Sequence, residues 1–160
     1  MAFSIDANGG DSRWFLGTLA TVKIRGEQTD GRLSIFESLL PHEAAPPLHS
    51  HPQDETFYVI EGELRVWIDG TPRRCSAGSI VCFPGGTPHT FFVESVTARV
   101  LVLSTPAGIE QFVLALSEPA RELRIPDDDT YPPIEKIKRV FATFGVTILG
   151  PPPTRADLDR

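Results

Sequence analysis

The chain has 160 residues, 21 of them acidic and 15 basic, giving a formal net charge of -6. This length suits one domain whose core needs no disulfide support, and the acidic balance argues against nucleic acid or an anionic membrane as a partner. No apolar run approaches the roughly 18 residues that span a bilayer, the opening Met1-Ala2-Phe3-Ser4 lacks the basic and apolar regions of a signal peptide, and two cysteines make no disulfide framework; a cytoplasmic location is the expectation.

Fifteen prolines and thirteen glycines fall between short apolar runs, which is the punctuation of an all-β protein with many turns. Strands are predicted near Trp14–Arg25, Arg32–Leu39, Phe57–Glu61, Glu63–Ile68, Thr71–Cys75, Ser79–Phe83, His89–Val93 and Thr97–Leu103. Asp69-Gly70 is a type I′ hairpin signal, because both residues accept positive φ. Gly62 marks another reversal, and Pro84-Gly85-Gly86-Thr87-Pro88 turns the chain before His89. In the strand around Trp67, Arg65 and Trp67 should face opposite to Leu64, Val66 and Ile68. Cys82 is expected to be buried in its strand and Cys75 to sit in a hairpin.

Beyond Leu103 the period changes. Thr105 can N-cap a helix with Pro106 at its first position, and Ile109, Phe112, Val113 and Leu116 then recur at helical spacing. A second helix fits Ile134–Phe144, with Gly145 as its stop. Asp127-Asp128-Asp129 reads as a solvated loop upstream of it. The chain is thus divided into a β portion, 1–104, and a helical extension of the same domain, 105–160, with the helices packed outside the strands or on a partner subunit.

The chemistry concentrates in two short patterns. His49-Ser50-His51 is followed by Glu55 and Gly62; Gly78 is followed by Pro84-Gly85-Gly86 and His89. Three imidazoles and a carboxylate are a donor set for a borderline or hard divalent metal. On an extended strand His49 and His51 project from one face, and His89 can arrive from a later strand. A six-coordinate ion held this way keeps two positions for other ligands. Its net single positive charge suits an anionic oxygen donor. Iron, nickel, manganese, cobalt and zinc all fit the set. A closed structural zinc fits less well, since such sites favour cysteine.

These residues resemble the cupin superfamily. His49, His51, Glu55 and Gly62 match its first motif, while Gly78, Pro84, Gly86 and His89 match its second; the resemblance covers a motif core at 32–103. Glu43 stands where the family usually has Gly, and Val93 where it often has Asn, neither being a metal ligand in the family. The resemblance implies a small jelly-roll barrel, a double-stranded β-helix, and a homodimer in which Leu16–Ile24 could serve as an exchanged edge strand.

Among cupins the chain is most similar to small single-domain quercetin 2,3-dioxygenase-like proteins. That implies a dioxygenase acting with dioxygen on a flavonol-like or other enolic aromatic small molecule, with Glu55 both ligand and acceptor of the substrate's hydroxyl proton. Two other readings stay open: a non-redox metal-dependent isomerase, cyclase or decarboxylase, and a non-catalytic small-molecule-binding module. Phe36, Phe57, Val59 and Phe91 are the candidate pocket residues, by strand period from Glu55 and His89, and Trp14 is a further candidate for the interior. No Lys or Arg cluster lies near the motifs, which disfavours a sugar phosphate. His42 reads as a surface loop residue.

Overall fold

The computed structural model describes residues 2–127 and 131–159, so Asp128 and Asp129 of the acidic triplet lie outside the described residues. Among the described residues, twelve strands form two antiparallel sheets. In chain order they are β1 (Asp11–Phe15), β2 (Thr18–Ile24), β3 (Ser34–Pro41), β4 (Leu48–Ser50), β5 (Asp54–Glu61), β6 (Glu63–Ile68), β7 (Thr71–Ser76), β8 (Ile80–Phe83), β9 (His89–Val93), β10 (Thr97–Thr105), β11 (Ser117–Pro119) and β12 (Thr147–Gly150). One sheet runs β11-β1-β2-β3-β10-β5-β8 and the other β12-β4-β9-β6-β7. This is a jelly roll, in which two sheets cover each other's apolar faces.

The inner faces follow from alternation. In β3, Ser34, Phe36, Ser38 and Leu40 are buried and the residues between them are not. Across β10 the same rule buries Ala98, Val100, Val102 and Ser104. Leu64 and Val66 face the core from β6 while Arg65 and Trp67 do not, as the pleat requires. The Asp69-Gly70 turn has φ of 47° and 76°, the expected I′ signature. Gly62 has φ of 89°, and a Cβ there would sit 2.5 Å from the Thr97 carbonyl oxygen; no other residue fits that reversal between β5 and β6.

Several expectations need correction. The predicted Trp14–Arg25 strand is a hairpin, β1 and β2, joined through Leu16 and Gly17 at φ 46° and 79°. Leucine is a poor turn residue, so the apolar run hid the turn. β2 lies between β1 and β3 and is therefore not an available edge strand. Trp14 is buried, but it packs under the 121–124 segment, where its indole N–H donates to the Arg124 carbonyl at 3.0 Å. Cys82 is exposed, because Thr56, its β5 partner, lies on the outer face with it; Cys75 is buried.

The first helix, α1 (Ile109–Ala115), starts after Gly108, since Thr105 still belongs to β10. The Glu110 carboxylate accepts from the Gly108 N–H at 2.7 Å and the Gly26 N–H at 3.0 Å, fixing the helix start from within. The second, α2 (Ile134–Thr143), ends before Gly145 at φ 67°. α1 packs Val113 into the core, whereas α2 buries none of its residues. The intervening and following segments add β11 beside β1 and β12 beside β4. Asp127 pairs with Arg124 at 3.2 Å instead of capping α2. Among the described residues no helix is long and apolar enough to cross a membrane.

Candidate metal centre

The two motifs meet where β4, β5 and β9 converge. His49 lies in β4 directly opposite His89, the first residue of β9. His51 follows β4, and Glu55 is the second residue of β5. The turn ahead of β9 is locked onto the His51–Asp54 loop: Gly86 N–H donates to the His51 carbonyl at 2.8 Å and Gly85 N–H to Asp54 Oδ1 at 2.7 Å. A Cβ on Gly85 would lie 2.1 Å from the Pro52 carbonyl oxygen, so glycine lets the two loops touch.

The imidazoles form one cluster. Ring centroids are 4.4 Å apart for His49 and His89, 5.0 Å for His51 and His89, and 5.8 Å for His49 and His51. One ligand atom from each lies within 4.8 Å of those from the others. Glu55 Oε2 sits 3.4 Å from His51 Nε2 and 3.2 Å from His89 Nε2. His49 Nδ1 contacts the Pro47 carbonyl and His89 Nδ1 the Thr87 carbonyl, each at 2.8 Å. A carbonyl takes only a donated proton, so these contacts place the hydrogen on Nδ1 and the lone pair of the neutral ring on Nε2. Lone pairs and a carboxylate oxygen then face one another, which is stable only with a proton or a cation between them. His51 Nδ1 is buried with no partner among the described residues. His89 is further fixed by stacking on Phe83 at 4.4 Å and 22°. The donor set therefore fits a divalent ion.

Above the cluster opens a cavity of about 530 Å³. Phe36, Phe57 and Phe91 line it, as expected, and among the described residues no Lys or Arg does. Val59 does not line it. It shares the Phe57 face of β5, but two residues further from Glu55, where it is packed into the core at 1% exposure. The roof was missed by sequence reasoning: Ile109 and Phe112 of α1, Phe141 of α2, and Phe144, Val146 and Ile148 beyond it all face the cavity. Aromatic residues at helical spacing in both helices were the signal. His42 is on the surface, at the cavity rim, with Nδ1 2.8 Å from the Ser95 carbonyl.

Residues 35–105 match the Cupin domain family. The chain belongs to the cupin superfamily. Over 118 residues this cupin is 25% identical to quercetin 2,3-dioxygenase of Bacillus subtilis (strain 168), a match covering 73% of this chain and 35% of that protein. A shorter match, 33% identical over 58 residues, is to dimethylsulfoniopropionate lyase DddQ of Ruegeria pomeroyi and covers 36% of this chain and 29% of that one. The cupin spans between 29% and 53% of the length of the curated relatives it matches. KdgF from a Halomonas species superposes with a TM-score of 0.60 at 20% identity, covering 69% of this chain and 98% of that one. A predicted oxalate decarboxylase from Thermotoga maritima gives 0.60 at 15% identity, covering 65% and 99%. These structures share the fold.

Electrostatics in this cupin are set by burial. His49 is pushed down from 6.5 to about 4, first by desolvation and then by the neighbouring His89. Burial alone would raise the Glu55 carboxyl, but in metal-free protein the His51 and His89 rings outweigh it, with a proton shared between Nε2 and the carboxylate, and hold the group at about 2. Both shifts make metal-free protein sensitive to acid. A base with a lowered folded pKa gains its proton first in the unfolded chain, so the His49 contribution to stability is lost between pH 6.5 and about 4. The Glu55 contribution is present above about 4.5 and lost as pH falls towards 2. Thermal melts of chelator-treated protein should show Tm falling through both windows, and His49→Gln should flatten the upper one. An unchanged upper slope in that variant would contradict the assignment.

Proposed function

We propose that this cupin holds one divalent metal ion through His49, His51, His89 and Glu55, and uses it with dioxygen to oxidise an aromatic small molecule bearing adjacent hydroxyl and keto oxygens. The observation that carries the reading is the position of Glu55 Oε2 between two imidazoles at the base of a cavity that has no Lys or Arg among its described lining residues. When bound, the ion supplies an anchor for oxygen donors and a Lewis acid, and a redox metal adds one-electron chemistry with dioxygen. The chain supplies the rest. Glu55, an anion at neutral pH, is placed to take the substrate's hydroxyl proton. Phe57 and Phe91 meet edge to face at 5.8 Å and 71° and offer apolar surface to an aromatic ring. The aromatic roof of α1 and α2 keeps water from the reacting end. A phosphorylated or multiply anionic substrate would find no cationic partner along these walls. The similarity to the Bacillus subtilis dioxygenase, over 73% of this chain, supports the same reading.

Oxygen uptake tests it. Protein loaded in turn with iron, nickel, manganese or cobalt should consume dioxygen with 3-hydroxyflavone or a related enol. Glu55→Gln, reloaded to the wild-type metal content, should lower that rate about a hundredfold or more, as loss of a positioned base does. Turnover of enolic compounds with zinc and without oxygen uptake would overturn the dioxygenase reading in favour of isomerase or lyase chemistry at the same centre.

A further inference from the structure

Among the described residues, five buried side chains carry a hydroxyl: Thr21, Ser34, Ser38, Thr90 and Ser104. Four of them are satisfied inside the protein. Ser34 and Ser104 bond each other at 2.7 Å, Thr21 meets Ser12 at 3.0 Å, and Thr90 donates to the Pro46 carbonyl at 2.7 Å. Ser38, 6% exposed, has no hydrogen-bond partner among the described residues and lines the cavity. Its surroundings are apolar: Phe36 and Leu40 flank it on the same face of β3, and Val100 and Ala20 lie opposite it on β10 and β2. Its Oγ is not sealed in as His51 Nδ1 is; it opens onto the cavity with no protein partner among the described residues, where water or a ligand can bond it.

The register gives its distance from the metal centre. Glu55 shares a cross-strand row with Ser104 and Ser34, while Ser38 stands in the row of Val100 and Val59. Four residues of strand rise separate the rows, about 13 Å along the sheet. A ligand whose oxygens sit at the His cluster therefore extends along an apolar wall before it reaches the Ser38 hydroxyl.

We propose that Ser38 is a specificity-determining anchor, bonding a hydroxyl or carbonyl at the end of the substrate remote from its metal-binding oxygens. The inference rests on the reading of the site given above and narrows it to elongated aromatics with polar groups at both ends. The hydroxyl acts by recognition alone; no proton or bond changes hands at Ser38.

Calorimetric titration of the zinc-loaded protein, under nitrogen, tests this without turnover. The probes are 3-hydroxyflavone and its 4′-hydroxy and 7-hydroxy derivatives, which carry the second hydroxyl at either end of the ring system. One derivative should bind wild-type protein about fivefold or more tighter than the parent, as one added hydrogen bond gives. Ser38→Ala should abolish that gain, bind the parent as well as wild type does, and melt at or above the wild-type temperature without ligand. Equal affinities for all three compounds in both proteins, or a lower Tm for the variant showing that the hydroxyl is bonded internally, would overturn the Ser38 assignment alone. Failure of wild-type protein to bind any of the three would overturn the flavonol-like reading of the site together with it.

Discussion

His89→Ala is expected to lower metal affinity by at least about a hundredfold, more than the 10- to 100-fold that follows loss of an outer hydrogen-bond partner. The magnitude follows from how fully this ring is committed. It is 2% exposed, lies opposite His49, faces Glu55 through Nε2, bonds the Thr87 carbonyl through Nδ1 and stacks on Phe83. Alanine removes a donor atom and also leaves Glu55 with one neighbouring imidazole fewer, so the carboxylate loses part of what offsets its burial. His89→Gln, which fills more of the space without restoring the imidazole, should lose metal to a similar degree with a smaller loss of stability. The comparison is made by competition titration with a chromogenic chelator, alongside a thermal melt. Affinity within about threefold of wild type in both variants would remove His89 from the ligand set.

The second large effect is on the roof. Phe112 of α1 meets Phe15 at 5.8 Å, Phe141 at 5.2 Å and Phe144 at 6.1 Å, so one side chain ties β1, α1 and the α2 region together over the cavity. Phe112→Ala should destabilise the protein by about 2–3 kcal/mol, towards the low side of Phe-to-Ala losses because the ring is partly exposed, and Tm should drop by roughly 5–10 °C at this chain length. Metal content should stay at the wild-type level, since Phe112 is not one of the proposed metal-binding residues. Affinity for an apolar probe of the cavity should fall with it. In a double-mutant cycle with Phe144→Ala, a coupling of about 0.5–1.5 kcal/mol is expected for an edge-to-face pair. Strict additivity would mean the roof is not a cooperative unit.

How much of this was legible depends on the range of the signal. A strand with clear alternation, such as Glu63–Ile68, was readable because Leu64 and Val66 pack on the core while Arg65 and Trp67 do not. The His and Glu positions were readable because donor type and spacing in two short blocks suffice to suggest a shared site. The Leu16-Gly17 turn was not, since only one glycine interrupts an apolar run there. β11 and β12 were hidden for another reason. Ser117–Pro119 and Thr147–Gly150 are three- and four-residue strands whose extended form comes from pairing with β1 and β4, far away in the chain. The start of α1 was misplaced by the Thr105-Pro106 capping signal, which the pairing of β10 overrides. Val59 shows the limit of period-2 reasoning: it gave the right face but not how far along β5 the cavity extends.

The central claim is that His49, His51, His89 and Glu55 hold one divalent metal ion. Elemental analysis of tag-free protein purified without chelator, with His89→Ala prepared in parallel, tests it most directly. The account predicts about one equivalent of iron, nickel, manganese, cobalt or zinc per chain in wild type and almost none in the variant. Wild-type protein that holds no metal, even after anaerobic reconstitution, would contradict it.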